Sequence, residues 1–233
     1  MQAVILAAGR GTRMKDLTQS VPKPMLEVAG KTLIEHKLDI LPSEVDEVIL
    51  VIGYQGDVIR AKFGEEFGGR RMRYVEQESL DGTMGALALA APFLTGRFVV
   101  MMGDDLYSRE DIDACFAVPG WSVLVQRTDS MASGGRMVMD ESGYLVKIEE
   151  GDHVGKPGLM NTNMFALDPR IFEHPMVPKA IGSDEYGLPQ TVLAASLTGG
   201  IPLAVVEASF WFQITAPEDL PKAEEALASR TGL

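Results

Sequence analysis

From Arg10 to Lys23 the chain sets four basic residues, Arg10, Arg13, Lys15 and Lys23, against one acid, Asp16, a local balance of +3. The whole protein has 21 Lys and Arg against 33 Asp and Glu and a net charge of −12, so its overall field repels a polyanion. An anionic ligand at this segment must therefore be held by local cations, backbone amides and a metal ion. Gly9 and Gly11 can supply the amides, because glycines directly after an apolar run let N–H groups approach a phosphate closely. Pro22 and Pro24 bracket Lys23 and fix the backbone on both sides, which aims that one lysine in a defined direction. A solvated basic loop would have the same composition, and the two prolines are what weigh against it. The dinucleotide fingerprint G-x-G-x-x-G is broken by Met14. Gly30-Lys31-Thr32 has the end of a phosphate-binding loop but Met25 where its first glycine belongs, so Gly30-Lys31 reads as a turn before a helix.

Strands must carry these loops. Apolar runs rich in β-branched residues occur at Ala3 to Leu6, Glu47 to Ile52, Met72 to Val75, Phe98 to Met102 and Ser122 to Val125, each bounded by turn formers. Between them, helical spacing runs through Thr32 to Leu41, about Asp57 to Phe67, Thr83 to Ala91 and Asp111 to Phe116. This alternation predicts an α/β fold with a doubly wound, mostly parallel central sheet, whose ligands sit at the carboxyl ends of the strands. The second half turns β-rich: Arg136 to Met139 and Tyr144 to Ile148 flank the turn Asp140-Glu141-Ser142-Gly143, and Leu159 to Leu167 reads as a further strand. A helix at Leu188 to Leu197, a strand at Leu203 to Val206 and a closing helix from Pro217 to Ala228 complete the reading, with Pro217 at the first helical position.

Composition narrows the classes. At 233 residues, with 46% hydrophobic and 23% charged residues, the chain is expected to form a single domain with a sizeable core. Its acidity disfavours nucleic acid and anionic membranes as partners. The lone Cys115 excludes an intramolecular disulfide and any multi-cysteine metal site, which fits a reducing compartment. No apolar run approaches the roughly 18 residues of a membrane span, and Met1 to Ala8 reads as a buried strand rather than a signal peptide. A cytoplasmic protein is expected.

Leu6-Ala7-Ala8-Gly9-Arg10-Gly11-Thr12-Arg13-Met14 followed by Pro22-Lys23-Pro24-Met25 resembles the signature of the sugar nucleotidyltransferases, which make nucleotide-sugars from a nucleoside triphosphate (NTP) and a sugar 1-phosphate. Further matches follow in family order: Gly30-Lys31-Thr32-Leu33-Ile34-Glu35-His36, Tyr74-Val75-Glu76-Gln77, Gly82-Thr83-Met84-Gly85-Ala86, Gly103-Asp104-Asp105-Leu106, and Trp211 with Thr215-Ala216-Pro217-Glu218-Asp219. Each motif is weak alone; their joint order covers nearly the whole chain. The chain is most similar to the short glucose-1-phosphate thymidylyl- and uridylyltransferases, and it carries no hexapeptide repeat of the bifunctional members.

The resemblance implies a Rossmann-like sheet with a nucleotide-binding half over about residues 1–118 and a β-rich, sugar-binding insertion in the remainder. It implies that Leu6, Ala8, Gly9, Gly11, Thr12 and Arg13 wrap the nucleotide, with Arg13 steadying the α- and leaving phosphates and Lys23 meeting the phosphate that joins the two substrates. Gln77, Gly82 and Thr83 would read the base, which a glutamine amide leaves open because it can flip. Asp104 would bind Mg²⁺, while Asp105 reads as a helix-cap or turn aspartate. Gly103, Glu149, Asn161 and Glu185 map to the sugar site. Glu150 stands where a lysine often follows the first of these acids, and Lys156 is a candidate replacement. Gln213 occupies the place of a second metal-binding aspartate, with Asp219 a weaker alternative. His36, Trp121 and Trp211 are expected to be structural.

The implied reaction needs no general base. The second pKa of a phosphate monoester lies near about 6, so the attacking oxygen is mostly ionised at neutral pH. What the protein must supply is in-line alignment of two polyanions and neutralisation of charge. UTP or dTTP is the favoured donor. A nucleotide-sugar-binding regulator with weak catalysis, a glycosyltransferase, or a cytidylyl- or guanylyltransferase acting on another phosphate acceptor stays open, as does a homo-oligomer.

Overall fold

Four of the five apolar runs become strands buried on both faces, and Met72 to Val75 becomes one that is only partly buried. In a computed structural model describing residues 1–131 and 134–231, β1 (Gln2–Ala7) leads through 3-10 turns at Thr12–Thr18 and Lys23–Met25 to the hairpin β2 (Glu27–Val28) and β3 (Lys31–Thr32). Helix α1 (Leu33–Ile40), β4 (Glu47–Ile52), α2 (Gly56–Phe63), β5 (Glu66–Phe67), β6 (Arg70–Glu76) and α3 (Thr83–Ala90) follow. Next come β7 (Phe98–Met102), β8 (Asp105–Tyr107), α4 (Arg109–Ala117), β9 (Trp121–Thr128), the hairpin β10 (Arg136–Met139) and β11 (Leu145–Glu149), and the long β12 (Gly158–Leu167). The chain ends with α5 (Leu188–Gly199), β13 (Leu203–Glu207), β14 (Trp211–Gln213) and α6 (Asp219–Thr231).

Strand order in the main sheet is β11-β10-β12-β7-β1-β4-β6-β5, with β9 beside β12 and β13 beside β9. The centre, β7-β1-β4-β6, is parallel, and β12 runs antiparallel to both β7 and β9. Period-two alternation divides each central strand between two cores. Val4, Leu6, Ile49, Val51, Phe98 and Val100 face the layer of α3 and α5, with Leu87, Leu188 and Val192. Ala3, Ile5, Val48, Leu50, Val99 and Met101 face the opposite layer of α1, α2 and α4, with Leu38, Ile59 and Ile112. A smaller cluster of Met14, Leu26, Val28, Leu33, Leu106 and Ile214 seats the loops after β1 and β14.

Three of the differences from the sequence reading have a local reason. The helix expected to reach Phe67 stops at Phe63, because Gly64 turns left-handed (φ 59°) and Phe67 joins β5 against Arg70. Gly30-Lys31 belongs to a hairpin: Ala29 and Gly30, at φ 50° and 76°, make the tight turn between β2 and β3. Thr32 then caps α1 in a reciprocal box with Glu35. The closing helix begins at Asp219 rather than Pro217, because the Asp219 carboxylate accepts from the Thr215 and Ala216 amides and pins Pro217 in the turn before it. No helix among the described residues is long and apolar enough to cross a membrane.

Candidate active site

The chain leaves β1 for β4 and β6 on one side and returns to β7 on the other, so winding reverses between β1 and β7. Ligands of open α/β sheets bind outside the carboxyl ends of the strands at such a reversal. The loops that emerge there are Ala8–Arg13 after β1 and Gly103–Asp104 after β7. They are drawn together tightly: the Gly103 amide donates to the Leu6 carbonyl at 2.8 Å, and a Cβ on Gly103 would stand 2.9 Å from that oxygen. Gly103 is thus spent on bringing the strands together and does not line the cleft.

Between these loops lies a cleft of about 270 Å³ whose lining includes Gly9, Gly11, Thr12, Arg13, Lys23 and Asp104. Gly11 is left-handed (φ 61°), and a Cβ there would meet the Lys23 side chain at 2.7 Å, so the loop needs glycine for both reasons. Lys23, only 8% exposed, donates from Nζ to Asp104 Oδ2 at 2.6 Å and to the Ile214 carbonyl. The bracketing prolines do aim it, and its target is the carboxylate at the end of β7. Arg13 is exposed and has no ion-pair partner among the described residues.

Asp105 is not a cap. Ser108 caps α4, its hydroxyl accepting from the Asp111 amide at 3.2 Å, and Asp105 lies buried in β8, where it accepts from Trp211 Nε1 at 3.0 Å. Burial and the adjacent Asp104 push its carboxyl well above the usual range. Lys37 of α1 is wholly buried, donates to the Leu33 carbonyl at 3.0 Å, and has its amine pulled down by burial. Gln213 pairs with Asp105 across β8 and β14, is exposed, and is absent from the lining. Asp219 is committed to backbone amides. Among the described residues, no group of three or more acidic, His or Cys side chains is arranged to hold a metal by itself.

A second cleft, of about 430 Å³, shares Leu6, Gly9 and Met102 with the first and continues over Ala8, Gln77, Gly82 and Thr83. Beyond them it reaches Asn163, Lys179, Glu185 and Gln190. The nucleotide residues read from the sequence are therefore gathered along one continuous cleft. The expected sugar residues are not all gathered. Glu185 lines the cleft, paired with Lys179 at 3.1 Å. Glu149 is tied to Arg136 at 2.6 Å and Lys147 at 3.2 Å, outside the lining, and these cations hold its carboxyl low. Lys156 bonds the Asp152 carbonyl instead of entering the cleft. Asn161 acts one step back: its Nδ2 donates to Asn163 Oδ1 at 2.7 Å and its Oδ1 accepts the Asn163 amide at 3.0 Å. This holds Asn163 left-handed (φ 57°) where the β12 register shifts, with Asn163 in the lining. Sequence reasoning missed Asn163 and Lys179; the Asn-x-Asn spacing was the only local signal for the first. His36 accepts a structural place beside the Val28 carbonyl, and Trp121 is core.

A mostly parallel α/β sheet with a basic glycine loop and a lysine-paired carboxylate at its winding reversal has the architecture of a nucleotide-binding α/β fold. The nucleotidyl transferase family matches residues 2–172, and the chain belongs to that family of enzymes, as its motifs implied. It is 27% identical to the UTP–glucose-1-phosphate uridylyltransferase AglF of Haloferax volcanii over 99% of this chain and 98% of that one. It is 29% identical to the bifunctional protein GlmU of Methanocaldococcus jannaschii over 74% of this chain, and the match spans only 41% of that longer protein. Among solved structures, a Bacillus anthracis protein described as a glucose-1-phosphate thymidylyltransferase superposes with a TM-score of 0.80 at 26% identity, covering 98% of this chain and 95% of its own.

Proposed function

We propose that the protein transfers a nucleotidyl group from an NTP, with UTP or dTTP favoured, to a sugar 1-phosphate, giving a nucleotide-sugar and pyrophosphate. The observation that carries this reading is the ion pair between the buried Lys23 and the half-buried Asp104, set beside the Gly9–Arg13 loop at the winding reversal. In it the half up to about residue 118 holds the nucleotide and the remainder the sugar phosphate. The glycine-loop amides, Arg13 and Lys23 neutralise the α-phosphate and the leaving pyrophosphate, which is where charge develops. Met102, at the junction of the two clefts, marks where the sugar phosphate oxygen faces the α-phosphorus, and Glu185 and Asn161, the latter through Asn163, bind the sugar hydroxyls.

The family is generally dependent on a divalent metal, and the residues fit one in a limited way. Asp104 offers a carboxylate whose Oδ1 has no hydrogen-bond partner among the described residues, and Mg²⁺ accepts such an oxygen while keeping water and phosphate ligands. When bound at Asp104, Mg²⁺ would supply positive charge to neutralise the phosphates. Lys23, already on Oδ2, holds the carboxylate in place for it.

The test is pyrophosphate release with UTP, dTTP, CTP, GTP and ATP crossed against several sugar 1-phosphates and Mg²⁺. Release only when all three components are present is expected. Silence across the whole set, with nucleotide-sugar still bound, would turn the reading to a regulator.

A further inference from the structure

Gln77 is 7% exposed and lines the nucleotide cleft. Its Nε2 donates to Asp81 Oδ1 at 2.8 Å and to the Gly82 carbonyl at 3.2 Å. Both partners are acceptors: a carbonyl oxygen never donates, and an ionised carboxylate has no proton to give. The amide can therefore satisfy them in one orientation only, with its NH₂ turned inward. Flipping it would set Oε1 against two oxygens, at the cost of unpaired, mutually repelling lone pairs. Oε1 has no hydrogen-bond partner among the described residues, and it is the polar atom that Gln77 has left for a ligand.

Asp81 is itself held. Its carbonyl accepts the Tyr186 amide at 2.6 Å, and its carboxylate lies over the first turn of α3, so close that a Cβ on Gly85 would stand 2.1 Å from Oδ1. Gly82 cannot give way either, since at φ 100° a Cβ would stand 2.3 Å from the Tyr186 carbonyl.

We propose that Asp81 is a positioning residue for base choice: it locks the Gln77 amide with its oxygen toward the nucleobase, which selects bases bearing a ring N–H over those bearing a ring lone pair at that place. Uracil and thymine at N3 and guanine at N1 present the donor; cytosine at N3 and adenine at N1 present an acceptor. The inference rests on the nucleotidyl-transfer reading and deepens it. A site built to bond one group rejects an analogue lacking it strongly, because its own buried polar atom is then unpaired.

Asp81→Asn tests this with little change of shape. An asparagine amide can donate as well as accept, so position 81 then accommodates either orientation of Gln77, and only the Gly82 carbonyl still opposes the flip. The expected result is that the wild-type protein prefers UTP over CTP in kcat/KM, and that the variant narrows this preference by at least about tenfold, chiefly through KM. A merely structural role would weaken all NTPs alike and leave the ratio fixed, which would overturn the proposal. So would wild-type protein that uses CTP as well as UTP. Calorimetric binding of UDP and CDP without sugar phosphate separates the two layers of argument. A UDP preference that Asp81→Asn narrows, without turnover, supports the Asp81 lock while overturning the transfer reading, and binding of neither nucleotide overturns both.

Discussion

Lys23 and Arg13 carry the same charge into the same cleft, yet the protein treats them differently. Lys23 is buried and spoken for by Asp104 and the Ile214 carbonyl, whereas Arg13 is exposed and unpaired among the described residues. If both meet the triphosphate, Arg13→Ala and Lys23→Ala should each lower turnover about a hundredfold, the ~3 kcal/mol typical of a donor that strengthens in the transition state. They should part company in thermal melts: Lys23→Ala leaves Asp104 without its cation and lowers Tm, while Arg13→Ala leaves Tm unchanged. Near-normal turnover in both folded variants would refute the phosphate-loop assignment. At this scale the sequence was legible where chemistry is packed into a short motif, as from Gly9 to Arg13 and at Pro22-Lys23-Pro24. It was not legible where a side chain is redirected by a distant partner. Nothing near Glu149 announces that Arg136 will take its carboxylate, and nothing near Lys179 announces the cleft.

Among elements, the long apolar strands were legible because five or six residues buried on both faces leave little choice of structure. The three-residue strands β8 and β14 were not, since neither has a period to read and each exists only against the other. Yet that pair sets the environment of the carboxylate proposed to bind the metal, for it holds Asp105, next to Asp104 in the chain, buried and puts a neutral amide, Gln213, opposite it. With one carboxylate in reach, Mg²⁺ should bind the free protein weakly and enter mainly with the NTP, whose phosphates complete its shell. Titrating Mg²⁺ with and without NTP checks this, and tight stoichiometric binding to the free protein would contradict it. Gln213→Asp should tighten metal binding to the free protein by about tenfold or more, through a second hard anionic ligand. An unchanged titration would mean that position 213 faces away from the metal.

For the molecule as a whole, the two cores on either face of one sheet make Cys115 a reporter of global unfolding. Its thiol is fully buried beneath α4, and burial pushes it up to about 12. The native protein should resist a thiol-specific reagent at mildly alkaline pH and react with one equivalent per chain in denaturant. Because core segments open only at free energies near that of global unfolding, the labelling rate at intermediate denaturant should track the loss of circular dichroism. Rapid labelling of the native protein would show that α4 opens separately.

Tyr186 has a consequence for redesign. Its amide and carbonyl are bonded to Asp81 and Met84, and the neighbouring Leu188 amide reaches Thr83, so the segment bearing Glu185 is laced to the segment bearing Gln77. The base and sugar specificities proposed for them are therefore not interchangeable cassettes. A base-reading loop transplanted from a relative would arrive without its matching partner, and a grafted 177–187 segment would unseat the loop beneath it. Exchanging donor or acceptor in this scaffold means moving both segments together, as one inherited block.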